Sequence, residues 1–472
     1  MKNKTTEVYI KAAFWTIWSF VLIICVLYIV KNAHWTIGDD AIVMEHTGSG
    51  VPFLLSHMIN KSVGRFCPLA YMAYNVLLLF GEVSPKAHYV LEAVFFVIFA
   101  VAFTVLALQM LRNQRPVWRY SIVFFALLLC IGRAYPQYTE CFSTAWCGYT
   151  WLACFMLFSF LFHERQNWFW GVVALLLANI ICYSSETGFI LPLGIGGFAL
   201  LFNWKHLSKK EKWFNGMLVS SALLFLAIYL VFIVPHVNHY MTHVIDSSPI
   251  SNALRMLISQ KIIIVGFGIL LISFIFVVWK KQPYEYYDAF LLTAAAYFCA
   301  NVILKLNWTL YYNGAALLCI PAILFYLVKY LNPQIVLFVV GGMGIFYGIK
   351  IPKAIKHSQE HRTTSFSQVE KLSNSISDGI PVYWVMPKES NGFGSMIRLC
   401  RQDWLTSYIR WIRIEEEFEF EEKIVGVDTL SHGIWLMSAD DRISFMDELE
   451  AFKGESPCFK ADSIYGYYVP DE

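Results

Sequence analysis

"AAFWTIWSFVLIICVLYIV", residues 12–30, is followed within a few positions by "GDDA", residues 38–41. The first string is an unbroken apolar run of 19 residues, enough to cross ~30 Å of hydrocarbon. No small-residue cleavage site follows it, so it reads as a membrane anchor and not as a removable leader. The second string sets two adjacent carboxylates, Asp39 and Asp40, just beyond the membrane boundary. What they do there is the question the rest of the chain answers.

The 472 residues are 57% hydrophobic, 17% aromatic and only 15% charged. Soluble domains carry about 25% charged residues, so the chain is expected to be an α-helical polytopic membrane protein. Further apolar stretches fall at 87–111, 118–133, 145–162, 168–183, 187–203, 214–235, 261–280, 287–305, 312–330 and 335–350, which makes about eleven transmembrane helices. The net charge is +2, unevenly spread. Residues 1–351 hold 23 Lys/Arg against 13 Asp/Glu, whereas residues 352–472 hold 13 against 21. A transmembrane domain, 1–351, followed by a small acidic α/β domain, 352–472, is the simplest division. No basic patch points to nucleic acid.

The connecting segments set the orientation. With the N-terminus in the cytoplasm, 14 of the 23 cations before residue 351 collect on the cytoplasmic side. An odd number of spans then puts the C-terminal domain outside, in a multi-pass protein of the cytoplasmic (inner) membrane. The first outer segment, 31–86, is too long for a connector. It contains "VPFLLSHMINKSVGRFCPLAYMAYNVLLLF", residues 51–80, apolar and aromatic enough for helices lying along the interface. In the tail, "KAIKHSQEHRTTSFSQVEKLSNSI" reads as a polar helix leaving the membrane. "IPVYWVMP", "KIVGVDTL" and "GIWLMSA" read as short strands, "SFMDELEAF" as a helix and "YGYYVP" as a last extended piece. "EEEFEFEEK" is expected to be a solvated strand edge or helix rather than a metal site. The eleven cysteines show no metal-type spacing. Cys141 with Cys147, or Cys400 with Cys458, have the spacing to bridge, but small buried hydrophobes are the favoured reading.

Ionisable groups of the membrane part avoid mid-span positions, where a charge is expensive. Asp39, Asp40, Arg65, Arg133, Glu140, Glu186 and Lys305 all fall near the outer ends. That placement suits chemistry on a lipid head group at the membrane–water boundary. A sugar joined to a lipid through phosphate already has a good leaving group. Its transfer needs a carboxylate to take the acceptor's proton and a cation to hold the phosphate. Asp39 or Asp40 supplies the first and Arg65, with Lys305, the second. The plainer alternatives are an Asp-Asp helix cap, snorkelling for Arg65 and Lys305, a Glu140–Arg133 pair, and a helix cap at "SSETGF" around Glu186. The histidines at 34, 46, 236, 239 and 243 match no zinc spacing. Trp384, Trp404, Trp411 and Tyr465 suit sugar stacking, although core packing is the commoner use of such residues.

Taken in order, these pieces resemble the GT-C superfamily of integral-membrane glycosyltransferases. The matching elements are "GDDA", then "GRFCPLAYMAYNVLLLFGEVSPKAHYVLEAVF", then "YPQYTECFSTAWCGYTW", then "SSETGF". The resemblance covers residues 12–205. It departs from the pattern at Ser185, where relatives often carry a Lys before the Glu. It implies a polyprenyl-phosphate-linked monosaccharide donor, a glycan or glycolipid acceptor of a bacterial envelope such as O-antigen, and a hexosyltransferase-type reaction on the outer face. Asp39 or Asp40 would be the general base, Arg65 would bind the donor phosphate, and Glu140 and Glu186 would orient the acceptor or a metal. No cofactor is implied beyond a divalent cation left open. The competing functions are a lipid-linked sugar flippase, which would want polar residues lining several spans, and an O-antigen polymerase or ligase, which would concentrate its residues in late outer loops.

Overall fold

A computed structural model of the chain describes residues 2–37, 59–61, 64–70, 77, 84–139, 149–237, 249–304, 309–386, 393–413, 418–424, 431–438, 456–461 and 464–470. The apolar runs become helices: α1 (Lys2–Val30), α2 (Pro85–Met110), α3 (Pro116–Thr139), α4 (Trp151–Arg165), α5 (Trp168–Cys182), α6 (Ile190–Asn203), α7 (Lys209–Phe232), α9 (Lys261–Lys280), α10 (Tyr286–Ile303), α11 (Thr309–Tyr330) and α12 (Pro333–Gly348). A short amphipathic helix, α8 (Pro249–Ser259), precedes α9. Among the described residues, eight helices are long and apolar enough to cross a bilayer. The three others, α4, α5 and α6, have 15, 15 and 14 residues. At 1.5 Å per residue such helices fall short of ~30 Å.

Helix ends follow local chemistry. Ser84 caps α2 by accepting the Ala87 N–H at 3.1 Å, with Pro85 at the first helical position. Ser208 and Glu211 form a capping box on α7. The tightest packing joins α3 to α12. A Cβ on Gly132 would lie 2.4 Å from the Tyr347 carbonyl oxygen, and one on Gly344 would lie 2.4 Å from that of Phe125. Small residues here let two backbones approach as membrane helices prefer.

Beyond α12, the polar helix expected from the tail is present as α13 (Lys350–Ser377). It leads to β3 (Val382–Met386), α14 (Phe393–Arg413), β4 (Glu421–Ile424), β5 (Gly433–Ser438), β6 (Phe459–Ala461) and β7 (Ile464–Val469). The strand order is β4-β3-β5-β7-β6, with β3 parallel to both neighbours and β7 antiparallel to both of its own. The charged strand β4 is an edge, as its composition suggested. Trp384 is fully buried and packs in the core, so it does not stack on sugar, while Trp404, Trp411 and Tyr465 are half-buried against the core. Cys458 is a free thiol donating to the Gly466 carbonyl at 3.3 Å. The expected helix "SFMDELEAF" lies outside the described residues.

The tail is keyed into the helical bundle beside the end of α1. Arg362 of α13 is 1% exposed, and its guanidinium donates to the Ile29 carbonyl at 3.0 Å and the Tyr28 carbonyl at 3.4 Å. Its charge also lies 4.2 Å from the Tyr89 ring centre. A cation at a helix C-terminus satisfies carbonyls that have no partner within the helix. The Tyr408 hydroxyl of α14 donates to the Trp35 carbonyl at 2.8 Å. Trp35 itself is fully buried, edge-on to Trp411 at 6.5 Å. Residues 31–37, the root of the acid-bearing loop, are therefore clamped between α2, α13 and α14.

Candidate active site

Part of the stretch expected to lie as interfacial helices is instead a tight hairpin, β1 (Ile59–Asn60) and β2 (Arg65–Phe66), pairing Asn60 with Arg65. Its turn needs Gly64, whose φ of 75° suits glycine. Three contacts anchor it to the bundle. The Tyr229 hydroxyl donates to the Gly64 carbonyl at 2.9 Å, and the Leu69 N–H donates to the Tyr183 carbonyl at 2.9 Å. Phe66 packs against the rings of Tyr183 and Phe225, at 6.0 Å and 5.7 Å. Arg65 is thereby held over the ends of α5 and α7.

"SSETGF" is not the helix cap its spelling suggested. Residues 183–184 and 186–189 lie in turns, and α6 begins at Ile190 with no side-chain cap. The turn folds back so closely that a Cβ on Gly188 would meet the Ile181 carbonyl oxygen at 2.2 Å. This geometry aims Glu186 at the hairpin. The Cys67 thiol, buried between them, hydrogen-bonds to the Glu186 carboxylate. Burial first and the Glu186 charge second push that thiol well above its ordinary pKa, while Arg65 acts in the opposite direction. The thiol thus stays protonated and donates. Arg65 and Glu186, distant in sequence, converge on one buried sulfur.

Behind Glu186 the site continues into the bundle. The Thr187 hydroxyl donates to the Tyr297 hydroxyl at 3.3 Å. Tyr297 is hydrogen-bonded to Asn301 and lies within reach of the Glu186 charge. A second polar group lies at the same end of the bundle. Arg133 Nη2 and Gln260 Nε2 both donate to Asn313 Oδ1, at 2.9 Å and 3.1 Å, and Asn313 Nδ2 donates to the Tyr149 hydroxyl at 2.5 Å.

Of the six residues singled out from the sequence, Arg65 and Glu186 are brought together. Asp39, Asp40, Glu140 and Lys305 lie outside the described residues. Among the described residues no group of three His, Cys, Asp or Glu side chains is placed to hold a metal. Sequence reasoning passed over Cys67 and Tyr297. The first was visible as the one thiol inside "GRFCPL"; the second carried no local signal.

Neither a protein-family model nor a curated protein sequence matches the chain. Solved structures do. The crystal structure of ArnT from Cupriavidus metallidurans bound to undecaprenyl phosphate superposes with a TM-score of 0.51, at 12% identity, over 96% of this chain and 98% of that one. The apo form of the same protein gives 0.53 at 11% identity, over 97% and 98%. Along nearly its whole length the chain has the same fold as ArnT.

Proposed function

We propose that the chain is a membrane glycosyltransferase that moves a monosaccharide from a polyprenyl-phosphate donor to an envelope glycan or glycolipid on the outer face of the cytoplasmic membrane. The observation that carries this reading is the near-complete likeness to a structure that holds undecaprenyl phosphate. In the reaction, an acceptor hydroxyl attacks the anomeric carbon while the bond from that carbon to the phosphate oxygen breaks. Asp39 or Asp40 takes the hydroxyl proton, and polyprenyl phosphate leaves. Charge develops on the departing phosphate, where a preplaced guanidinium has its greatest effect. Arg65 fills that role, held by the hairpin contacts with α5 and α7, and Lys305 assists. Glu186 orients Arg65 or the acceptor, and Glu140 orients the acceptor or a metal. A single displacement inverts the donor linkage. Residues 352–472 form the extracytoplasmic domain that steadies the base-bearing loop through Arg362 and Tyr408.

The test uses vesicles containing the full chain, a panel of radiolabelled polyprenyl-phosphate monosaccharides and an envelope extract. Label moving from lipid to polymer, and ceasing in either the Asp39→Asn or the Asp40→Asn variant at matched abundance, supports the reading. Full transfer by both variants removes the acid pair from the mechanism. Protein-dependent movement of labelled lipid across the bilayer without transfer replaces the transferase with a flippase.

A further inference from the structure

Apart from Arg65 and Glu186, three cations gather at the end of α12. The Lys350 ammonium lies 4.6 Å from the Phe346 ring centre and 4.8 Å from that of Tyr347. The Arg133 guanidinium lies 5.3 Å from the Tyr347 ring, and Lys261, the first residue of α9, lies 6.0 Å from the Phe346 ring. Charges from three separate parts of the chain thus surround two adjacent aromatic side chains. They are close enough that Lys350 feels both Arg133 and Lys261. Among the described residues none of the three forms an ion pair with a carboxylate. Arg133 Nε is buried and meets no partner among them either.

The surroundings say what kind of anion fits. Lys261 and Lys350 are exposed, and the surface beside them is apolar: Ile345, Phe346 and Ile349 are 51%, 52% and 70% exposed, and Ile264 is 49% exposed. These side chains face the bilayer. A lone lysine at a membrane boundary needs only water, but three like charges drawn to one pair of rings repel unless an anion lies among them. We propose that this rim binds the phosphate of an anionic bilayer phospholipid, with the headgroup between Lys261 and Lys350 and the acyl chains along Ile345, Ile349 and Ile264. The bilayer is favoured over the sugar donor as the source because these cations sit on α3, α9 and α13, whereas Arg65 rests on α5 and α7. The inference does not depend on the transferase reading.

The test is native mass spectrometry of the full chain released from detergent, titrated separately with phosphatidylglycerol, phosphatidylcholine and undecaprenyl phosphate. Phosphatidylglycerol is expected to bind about tenfold tighter than phosphatidylcholine. Each of Lys261→Ala and Lys350→Ala should weaken it about fivefold and the double variant about 25-fold, as one basic side chain near an anionic headgroup typically contributes. Arg65→Ala should leave it unchanged. The single variants carry the test if the double variant is too unstable to purify. Equal phosphatidylglycerol binding by wild type and variants overturns the proposal. So does displacement of phosphatidylglycerol by undecaprenyl phosphate at equal or lower concentration, which would assign the rim to the donor.

Discussion

The two ends of the helical bundle handle charge in opposite ways. At the end where α4 and α11 finish and α7 and α10 begin, acids and bases are matched to one another. Arg112 meets Glu164 at 2.6 Å, His163 meets Glu211 at 2.5 Å, and Lys329 pairs with Glu285. Asp288, 1% exposed, is the exception at this end, an acid held by neutral donors: the Ser273 hydroxyl at 2.6 Å, the Glu285 N–H at 2.8 Å and the Tyr326 hydroxyl. At the opposite end Arg133 leans on a neutral amide, Lys350 faces other cations, and Arg65 shares a buried thiol with Glu186. Matched charges fasten helices. Arg133, which donates to the neutral amide of Asn313, keeps its charge available to an anion that arrives from outside.

If that contrast is right, the largest losses of activity come from the open end. One of Asp39→Asn and Asp40→Asn should lower transfer about 10²–10⁴-fold, the usual range for removing a general base, and the other should change it only a few-fold, because adjacent side chains point different ways. Arg65→Ala should lower turnover about 10²–10³-fold, as for loss of a preplaced charge stabiliser, with Arg65→Lys partly restoring it. Lys329→Ala at the closed end should leave turnover unchanged and lower stability by at most about 1 kcal/mol, since the pair is well exposed. The contrast breaks if Lys329→Ala costs as much transfer as Arg65→Ala in the radiolabel assay.

Arg362→Ala tests the clamp between the tail and the bundle. Removing a buried cation that serves two carbonyls and an aromatic ring should destabilise the protein by about 2–3 kcal/mol, seen as a lower thermal midpoint in detergent. Transfer should also fall, because the root of the Asp39–Asp40 loop loses its support. An unchanged midpoint would mean that Trp35 and Tyr408 hold that segment unaided.

Much of the fold was legible because a bilayer forces long apolar runs into helices, and the runs at 87–111, 214–235 and 261–280 return almost unchanged as α2, α7 and α9. The sheet was partly legible, since β3, β5 and β7 alternate or run apolar, while the three-residue β6 carried too little pattern to read. The site was harder. Arg65 and Glu186 could be named singly, by residue type and position near a span end, but their meeting at Cys67 depends on α5 and α7 packing beside the hairpin. Hydropathy does not encode which helices become neighbours. At "SSETGF" the plainer alternative, a helix cap, fails because Gly188 folds the chain back into turns before α6 begins.

The smallest expected effect sharpens the same point at the clamp. His34 stacks on Phe366 of α13 at 4.2 Å. Its pKa is lowered, by burial first and then by Arg362, with Glu370 opposing. A lowered histidine pKa means that the folded protein binds the proton less readily than the unfolded chain does. The stability it contributes is therefore complete above about pH 6.5, the unfolded value, and is lost as pH falls below that. Thermal midpoints recorded from pH 7.5 down to pH 5.5 should show a slight decline attributable to this residue. His34→Phe keeps a ring on Phe366 and should remove that part of the decline while leaving the midpoint at pH 7.5 nearly unchanged. An identical pH profile in wild type and variant would place the titrating group elsewhere and leave the stack as packing alone.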